Sequence, residues 1–337
     1  MSVEVWPSLR PEQLRPAVDQ TQRRELEWLL NELHETLHNL KSGLEDCYAL
    51  LAPVDPGSTL VVSTPRNEIV KGHITRVGTR IVKGTLTLRL RTHPQQTYTI
   101  SPTSPISLAP LATLHTLLNH SVELLTLTLA HTTPPSTHAS SPTSQPPPSP
   151  THSTAAFLAA QLLLLSQSLA EAASLLKGPQ PLTASDATWV SKSCAPDHFV
   201  PPTSRDLSVH WGVQDSCLVL WLRALEPADA PVSVGLKLAL AIGTARRIEH
   251  DEADQVFVYT YPEEGEFGTR GGGGALQGSN NKDDQHRGNE VQVYVREKVR
   301  VESADPSLLS LSAKLAALMN TLELARGNLA AVMGEEF

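Results

Sequence analysis

The 337-residue sequence is poor in aromatic residues and in cysteine. Phe, Trp and Tyr make up 4% of it and hydrophobic residues 40%, so a core must be built mainly from Leu, Val and Ala. The three cysteines, Cys47, Cys194 and Cys217, form no CxxC pair and are odd in number. They therefore predict neither a disulfide framework nor a structural zinc site, and they fit a reducing compartment.

A surplus of positive charge is also missing. The formal net charge is -8, which argues against general nucleic-acid binding, because that activity needs a basic face to displace phosphate counterions. The first 24 residues contain no apolar segment of the signal-peptide kind, and the longest apolar runs, such as residues 155–165, are shorter than the ~20 residues that span a bilayer. We expect a cytoplasmic protein without direct membrane insertion.

Leucines at helical spacing are what the sequence has in abundance. In residues 12–51 they recur alternately four and three positions apart, a 3.5-residue period that keeps one apolar seam facing a partner helix. Similar seams run through residues 108–129, 155–176 and 306–333. Four such seams predict an antiparallel helical bundle. They can satisfy each other within one chain, so we expect internal packing and a monomer outside any complex.

Two blocks of short β-branched segments separate these helices. Residues 85–91 alternate with period two, as a half-buried strand does, and three or four antiparallel strands are expected in residues 59–100. In the second block we predict a hairpin around Gln214-Asp215 and further strands at residues 232–242, 255–261 and 289–302.

The order of elements predicts an α+β fold, with a leucine-seamed helical bundle and a separate β-rich half, both discontinuous in sequence. The bundle would comprise residues 12–52, 107–177 and 305–333, and the β-rich domain residues 57–104 and 182–302. Residues 132–153, rich in Thr, Ser, Pro and His, and residues 262–288, rich in Gly and acids, are predicted to be disordered inserts.

One motif resembles a zinc protease site. His34-Glu35-Thr36-Leu37-His38 is a formal HExxH, in which two histidines one helical turn apart bind zinc and the glutamate acts as general base. Leu37, however, lies on the seam of a long helix, and no recognised third-ligand motif follows. A chance match is the better interpretation.

Other candidate sites are weaker. The stretch from Glu249 to Asp254 could hold a metal, but it lacks the EF-hand pattern and is better interpreted as a solvated acidic loop. The glycine-rich stretch 268–274 lacks the lysine of a phosphate-binding loop. Cys217 lies inside an apolar strand, where core packing is favoured over reactivity. We therefore predict no catalytic, cofactor-binding or metal site.

A local basic block stands out in an otherwise acidic chain. Residues 71–91 contain no Asp or Glu, and their cationic side chains are Lys71, Arg76, Arg80, Lys83, Arg89 and Arg91. This block is a candidate contact for an acidic partner or an anionic membrane surface. The alternative is an ordinary solvated sheet face.

Three stretches taken in order resemble the Rogdi leucine-zipper family. They are Glu25-Leu26-Glu27-Trp28-Leu29-Leu30, then Ile69-Val70-Lys71-Gly72 with Val82-Lys83-Gly84, and finally Asp206-Leu207-Ser208-Val209 followed by Cys217-Leu218-Val219-Leu220-Trp221-Leu222-Arg223-Ala224-Leu225. The two inserts depart from the compact animal form of the family.

The resemblance implies an adaptor subunit without chemistry of its own. Fungal members form the small subunit of the RAVE complex, which helps the vacuolar proton-translocating ATPase (V-ATPase) to reassemble. The implied partners are a large WD-repeat, rabconnectin-like subunit and, through it, cytosolic-sector subunits of the V-ATPase, with peripheral recruitment to vacuolar or endosomal membranes. An HExxH zinc hydrolase and a coiled-coil membrane-trafficking tether are the alternatives.

Overall fold

The structure is a computed structural model that describes residues 10–132, 150–179, 187–229, 250–260 and 290–334. Its helices are α1 (Pro11–Leu50), α2 (Ala109–Thr132), α3 (Pro150–Lys177), α4 (Thr188–Ser191) and α5 (Pro306–Met333). Its strands are β1 (Ser58–Ser63), β2 (Val70–Val77), β3 (Arg80–Leu88), β4 (Gln96–Ile100), β5 (Ile106–Ser107), β6 (Phe199–Val200), β7 (Leu207–Gln214), β8 (Cys217–Pro227), β9 (Val256–Thr260) and β10 (Glu290–Ala304).

These elements confirm the predicted α+β class, since long helices and antiparallel sheets are both present. The chain divides into two compact units. The first consists of Met1–Leu51, Thr113–Ser174 and Ser310–Phe337, and the second of Ala52–Ala112 and Leu175–Leu309. The predicted strand at residues 232–242, the predicted insert 262–288 and residues 133–149 of the predicted insert 132–153 lie outside the described residues. At the two ends of the latter insert the prediction was wrong, because residue 132 belongs to α2 and residues 150–153 belong to α3.

In the first unit most of the predicted seam residues are buried, whereas Val122 on α2 and Leu318, Ala325 and Val332 on α5 are half-buried. On α3 every predicted seam residue is buried (Leu158, Leu162, Leu165, Leu169 and Ala172 in this unit). On α1 the seam is buried from Leu26 to Leu51, except that Leu29 replaces Leu30 as the buried residue of its turn. On α2 the seam also contains Ser121 and Thr128, which are buried although they are polar.

Side-chain contacts connect the four long helices of this unit. Ser121 on α2 and Ser168 on α3 share a hydroxyl hydrogen bond of 2.9 Å, which satisfies two polar groups inside an apolar seam. Tyr48 on α1 stacks against His115 on α2. Between α1 and α5, Asp46 accepts a hydrogen bond from Lys314 at 2.7 Å. Close to this pair, a Cβ at Gly43 would lie 2.5 Å from Leu318, so glycine permits the close approach of these two helices.

The second unit contains two antiparallel sheets. The larger sheet has the strand order β1-β2-β3-β4-β6, with β5 paired to β3, and the smaller sheet has the order β7-β8-β10-β9. Strand β6, from the second sequence block, joins the sheet built by the first block, where it pairs with β4. Short contacts between β1 and β10, such as the hydrogen bond from the Ser303 hydroxyl to the Val61 carbonyl at 2.7 Å, connect the two sheets.

The predicted hairpin around Gln214-Asp215 is confirmed. Strands β7 and β8 pair in register from Leu207↔Ala224 to Gln214↔Cys217. The two turn residues, Asp215 and Ser216, have φ angles of 48° and 60°, as a two-residue turn between twisted strands requires. Trp189 of α4 packs with Phe257 and Tyr259 of β9 in the core beside this sheet.

Two helices among the described residues are long and apolar enough to cross a membrane by length and composition, Ser153–Lys177 and Pro306–Met333. The sequence prediction considered only uninterrupted apolar runs, which are shorter than these whole helices. Core helices of ordinary globular proteins pass the same test, and both helices carry a buried leucine seam. Length and composition alone are therefore weak evidence for a membrane span.

Candidate functional site

The strands of the larger sheet contain no Asp or Glu. Strands β1 to β6 are rich in Thr and β-branched residues, and their only ionisable side chains are basic or phenolic. In a chain of net charge -8, this sheet is a local region without negative charge. Its outer face is therefore the strongest candidate for a charged contact surface among the described residues.

Strand register determines which side chains share that face. Because side chains alternate across a strand, the buried residues Val70, Ile74, Leu86 and Leu88 belong to the inner face. The outer face consists of residues paired across neighbouring strands: Ser63↔Lys71↔Thr87↔Thr97 in one row, and Val61↔His73↔Thr85↔Thr99↔Val200 in the next. Four of these nine residues are threonine, and two exposed valines lie at the sides of the face.

Four basic residues occupy successive rungs of the β2–β3 pair, and we call them the basic ladder. Arg89 lies opposite Ile69, Lys71 opposite Thr87, His73 opposite Thr85 and Lys83 opposite Thr75. Successive rungs are two residues apart, so they are separated by about 6.6 Å and the ladder spans about 20 Å. All four side chains are exposed.

The four basic side chains of the ladder have no carboxylate partner within the described part of the chain. The ion pairs of the larger sheet and its loops, among the described residues, involve Arg76, His93 and Arg66 instead. The acid nearest to the ladder in sequence, Glu68, lies before β2 and pairs with Arg66 at 3.8 Å. The positive charge of the ladder is therefore left uncompensated by the strands around it.

The six predicted patch residues lie in different environments in the structure. Lys71, Lys83 and Arg89 belong to the ladder. Arg80 is exposed at the turn between β2 and β3. Arg91 lies beyond the end of β3, where its backbone N–H donates to the carboxylate of the buried Glu297 at 2.8 Å. His73 was not predicted, although its position two residues after Lys71 on a strand would have identified it.

Arg76 does not belong to the exposed patch, and its inclusion was wrong. Its side chain is 3% exposed, and its Nε donates to the Asp305 carboxylate at 2.6 Å. A second guanidinium nitrogen donates to the Gly78 carbonyl. Asp305, 0% exposed, also accepts the Ser307 N–H at 3.0 Å at the start of α5. A β-bulge between Thr75 and Arg76 breaks the simple alternation of β2, which is why spacing alone mispredicted the direction of this side chain.

A second group of paired charges lies on the smaller sheet. Glu252 is buried, and its carboxylate accepts hydrogen bonds from Arg223 at 2.7 and 2.9 Å and lies 2.6 Å from Lys298. Burial raises the pKa of Glu252, but the hydrogen bonds from Arg223 and Lys298 outweigh it, so that its pKa is lowered overall. The solvated acidic loop predicted at residues 249–254 is therefore wrong for Glu252, which anchors that loop to the sheet.

The histidines of the HExxH motif lie beside the seam of α1. The rings of His34 and His38 contact each other edge to face, with centroids 4.9 Å apart, and Glu35 is exposed. Leu37 between them is buried on the seam. Among the described residues, no group of three or more His, Cys, Asp or Glu side chains is placed to hold a metal ion. The motif therefore lacks an observed third ligand.

The cysteines are protected thiols rather than activated ones. Burial raises the pKa of Cys47 to about 11 and that of Cys194 to about 12. The pKa of Cys217 is also raised, by burial and then by Glu302 and Asp215. A nucleophilic cysteine requires a lowered pKa, so none of these thiols has the electrostatic environment of a catalytic one.

A comparison with curated proteins found no match. The family model described as Rogdi leucine zipper containing protein matches residues 25–330. This match includes the leucine seams, both strand blocks and the basic ladder. The chain therefore belongs to the Rogdi leucine zipper family.

Proposed function

We propose that this protein is a non-catalytic adaptor subunit of a RAVE-type complex, which promotes assembly or reassembly of the V-ATPase. The observation that carries the proposal is the family match across residues 25–330. It covers both units of the chain, so the whole architecture is that of the family rather than one shared segment.

The proposed partners are a large WD-repeat, rabconnectin-like subunit and, through it, the cytosolic-sector subunits of the pump. The protein would work in the cytoplasm and be recruited peripherally to vacuolar or endosomal membranes. An adaptor needs accessible surface that is not consumed by its own folding. The acid-free outer face of the larger sheet supplies such a surface, because its cations lack carboxylate partners among the described residues.

No described feature favours the two alternatives. A zinc hydrolase would need a third ligand and a cleft beside His34 and His38, whereas these side chains flank a buried seam. A coiled-coil tether would need a free leucine seam. The seam leucines of α1, α2, α3 and α5 are instead mostly buried within this chain.

Affinity purification of the tagged full-length protein from cells of its source, followed by mass spectrometry, tests the proposal. We expect a WD-repeat subunit and cytosolic-sector V-ATPase subunits, and slower vacuolar acidification when the gene is deleted. A zinc assay on the same sample and rescue by Glu35→Gln provide the control, since a hydrolase would lose function in that variant. Stoichiometric zinc, loss of rescue and absence of pump subunits would refute the adaptor function.

A further inference from the structure

We infer that the basic ladder binds an extended acidic segment of a partner protein, in which carboxylates occur at every second residue. This inference deepens the proposed function by giving the adaptor a contact of defined chemistry. It rests on three properties of the outer face: the spacing of its basic side chains, the absence of acids on its strands, and the threonine hydroxyls beside the ladder.

The spacing of the ladder matches an extended chain. Arg89, Lys71, His73 and Lys83 supply one basic side chain per rung, and rungs repeat at about 6.6 Å. In an extended peptide, side chains two residues apart point to the same side and are separated by about the same distance. A segment lying along β2 and β3 can therefore place successive carboxylates opposite successive basic side chains.

The surroundings of the ladder favour an anionic ligand with hydrogen-bond acceptors. Thr85, Thr87 and Thr97 lie beside the cations and provide hydroxyl donors. The hydroxyls of Thr87 and Thr97 already share a hydrogen bond of 3.0 Å at an exposed position, leaving the second donor free to face outward. Because no strand of the sheet contains an acid, an approaching carboxylate meets no like charge on this face.

The same features argue for a peptide rather than a lipid surface. Membrane-binding surfaces combine dense clusters of Lys and Arg with aromatic or leucine side chains that enter the interface. The ladder is one residue wide, and the large apolar side chains exposed on its face are Val61 and Val200. Such a surface suits a narrow, extended ligand with regularly spaced charges.

Binding of a labelled peptide to the purified full-length protein tests the inference. The probe is an octapeptide of alternating Glu and Thr, followed by fluorescence anisotropy at low and at physiological salt. We expect saturable binding that weakens with salt, and a loss of at least about tenfold in affinity for the double variant Lys71→Glu/Lys83→Glu. Lys71→Gln/Lys83→Gln should fall between this variant and the natural protein.

The matched control is Lys177→Glu/Lys192→Glu, which makes the same change in net charge at exposed positions outside the larger sheet. It should keep at least half of the affinity. Equal weakening by the control would show that net charge alone governs binding and would overturn the inference. So would binding to vesicles of phosphatidylserine and phosphatidylcholine without binding to the peptide. Circular dichroism melts of all variants verify that these exposed substitutions leave the fold intact.

The outcome is separable from that of the proposed function. If the peptide binds through the ladder but no WD-repeat or pump subunit copurifies, the inference stands and the assembly function fails. If those subunits copurify equally with the natural protein and with Lys71→Glu/Lys83→Glu, and the peptide does not bind, the inference fails alone.

Discussion

Replacing Asp305 by asparagine would leave the Arg76 guanidinium buried without a counter-charge. The two side chains are 3% and 0% exposed, so water cannot solvate the unpaired cation. Removing one partner of a buried ion pair typically costs about 3–5 kcal/mol, because the remaining charge keeps its desolvation penalty. Asparagine retains the side-chain oxygen that accepts the Ser307 N–H, so the cap of α5 contributes little to this cost.

The free energy of unfolding, measured by urea titration and thermal melting, gives the test. For a unit of this size, 1 kcal/mol shifts the melting temperature by about 2–4 °C, so Asp305→Asn should lower it by roughly 10 °C. The matched control is Asp46→Asn, which makes the same chemical change at a pair whose side chains are 63% and 45% exposed. The control should cost less than about 1 kcal/mol.

The double variant Arg76→Met/Asp305→Asn separates burial of charge from loss of packing. With both charges removed, no unpaired ion remains, so the double variant should be more stable than the sum of the two single effects predicts. Simple additivity, or a loss below 1 kcal/mol for Asp305→Asn, would show that the pair is solvated in solution and would refute the reasoning.

Three further predictions concern other parts of the chain. The pKa of Glu252 is lowered in the folded protein, so the pairing of its carboxylate stabilises the fold at pH values above 4.5, its ordinary pKa, and this stabilisation is lost as the pH falls through the folded pKa. The difference in the free energy of unfolding between the natural protein and Glu252→Gln, measured by urea titration, should therefore shrink from about pH 6 to about pH 3. Burial raises the pKa of Cys47 from an ordinary 9.0 to about 11. In the folded protein this thiol should therefore react with iodoacetamide at neutral pH about 100-fold more slowly than it does in the urea-unfolded chain. Mass spectrometry measures both rates, and equal rates would contradict the burial of Cys47. Gly43→Val should destabilise the helical unit by about 1–3 kcal/mol, because the added methyl groups collide with Leu318. Adding Leu318→Ala to this variant should recover part of the lost stability, and urea titration of the single and double variants gives the comparison. No recovery would contradict the contact.

Local periodicity explains why the elements could be predicted. A 3.5-residue leucine repeat identifies a helix seam wherever it occurs, and the seam of α3 is buried as predicted. Alternation with period two identified β3 and β10, and the Asp215-Ser216 turn followed from the polar residues between two apolar runs. These signals depend on neighbours within about ten residues, so no tertiary information was needed.

The candidate site was only partly predictable, because accessibility depends on distant partners. The basic block was visible as an acid-free stretch, and Lys71, Lys83 and Arg89 are exposed as a contact surface requires. Their alignment with His73 in one ladder depends on the register of β2 against β3, which the composition of a single strand does not determine.

The sequence by itself determined the α+β class, the seams of the long helices and the position of the basic stretch, since periodicity and composition are local properties. Only the tertiary structure decided which charges are available to a partner. Arg76 is paired with Asp305, 229 positions away, and Glu252 with Arg223 and Lys298. The physical reason is desolvation: a charge enters the interior only where an opposite charge from elsewhere in the chain meets it there.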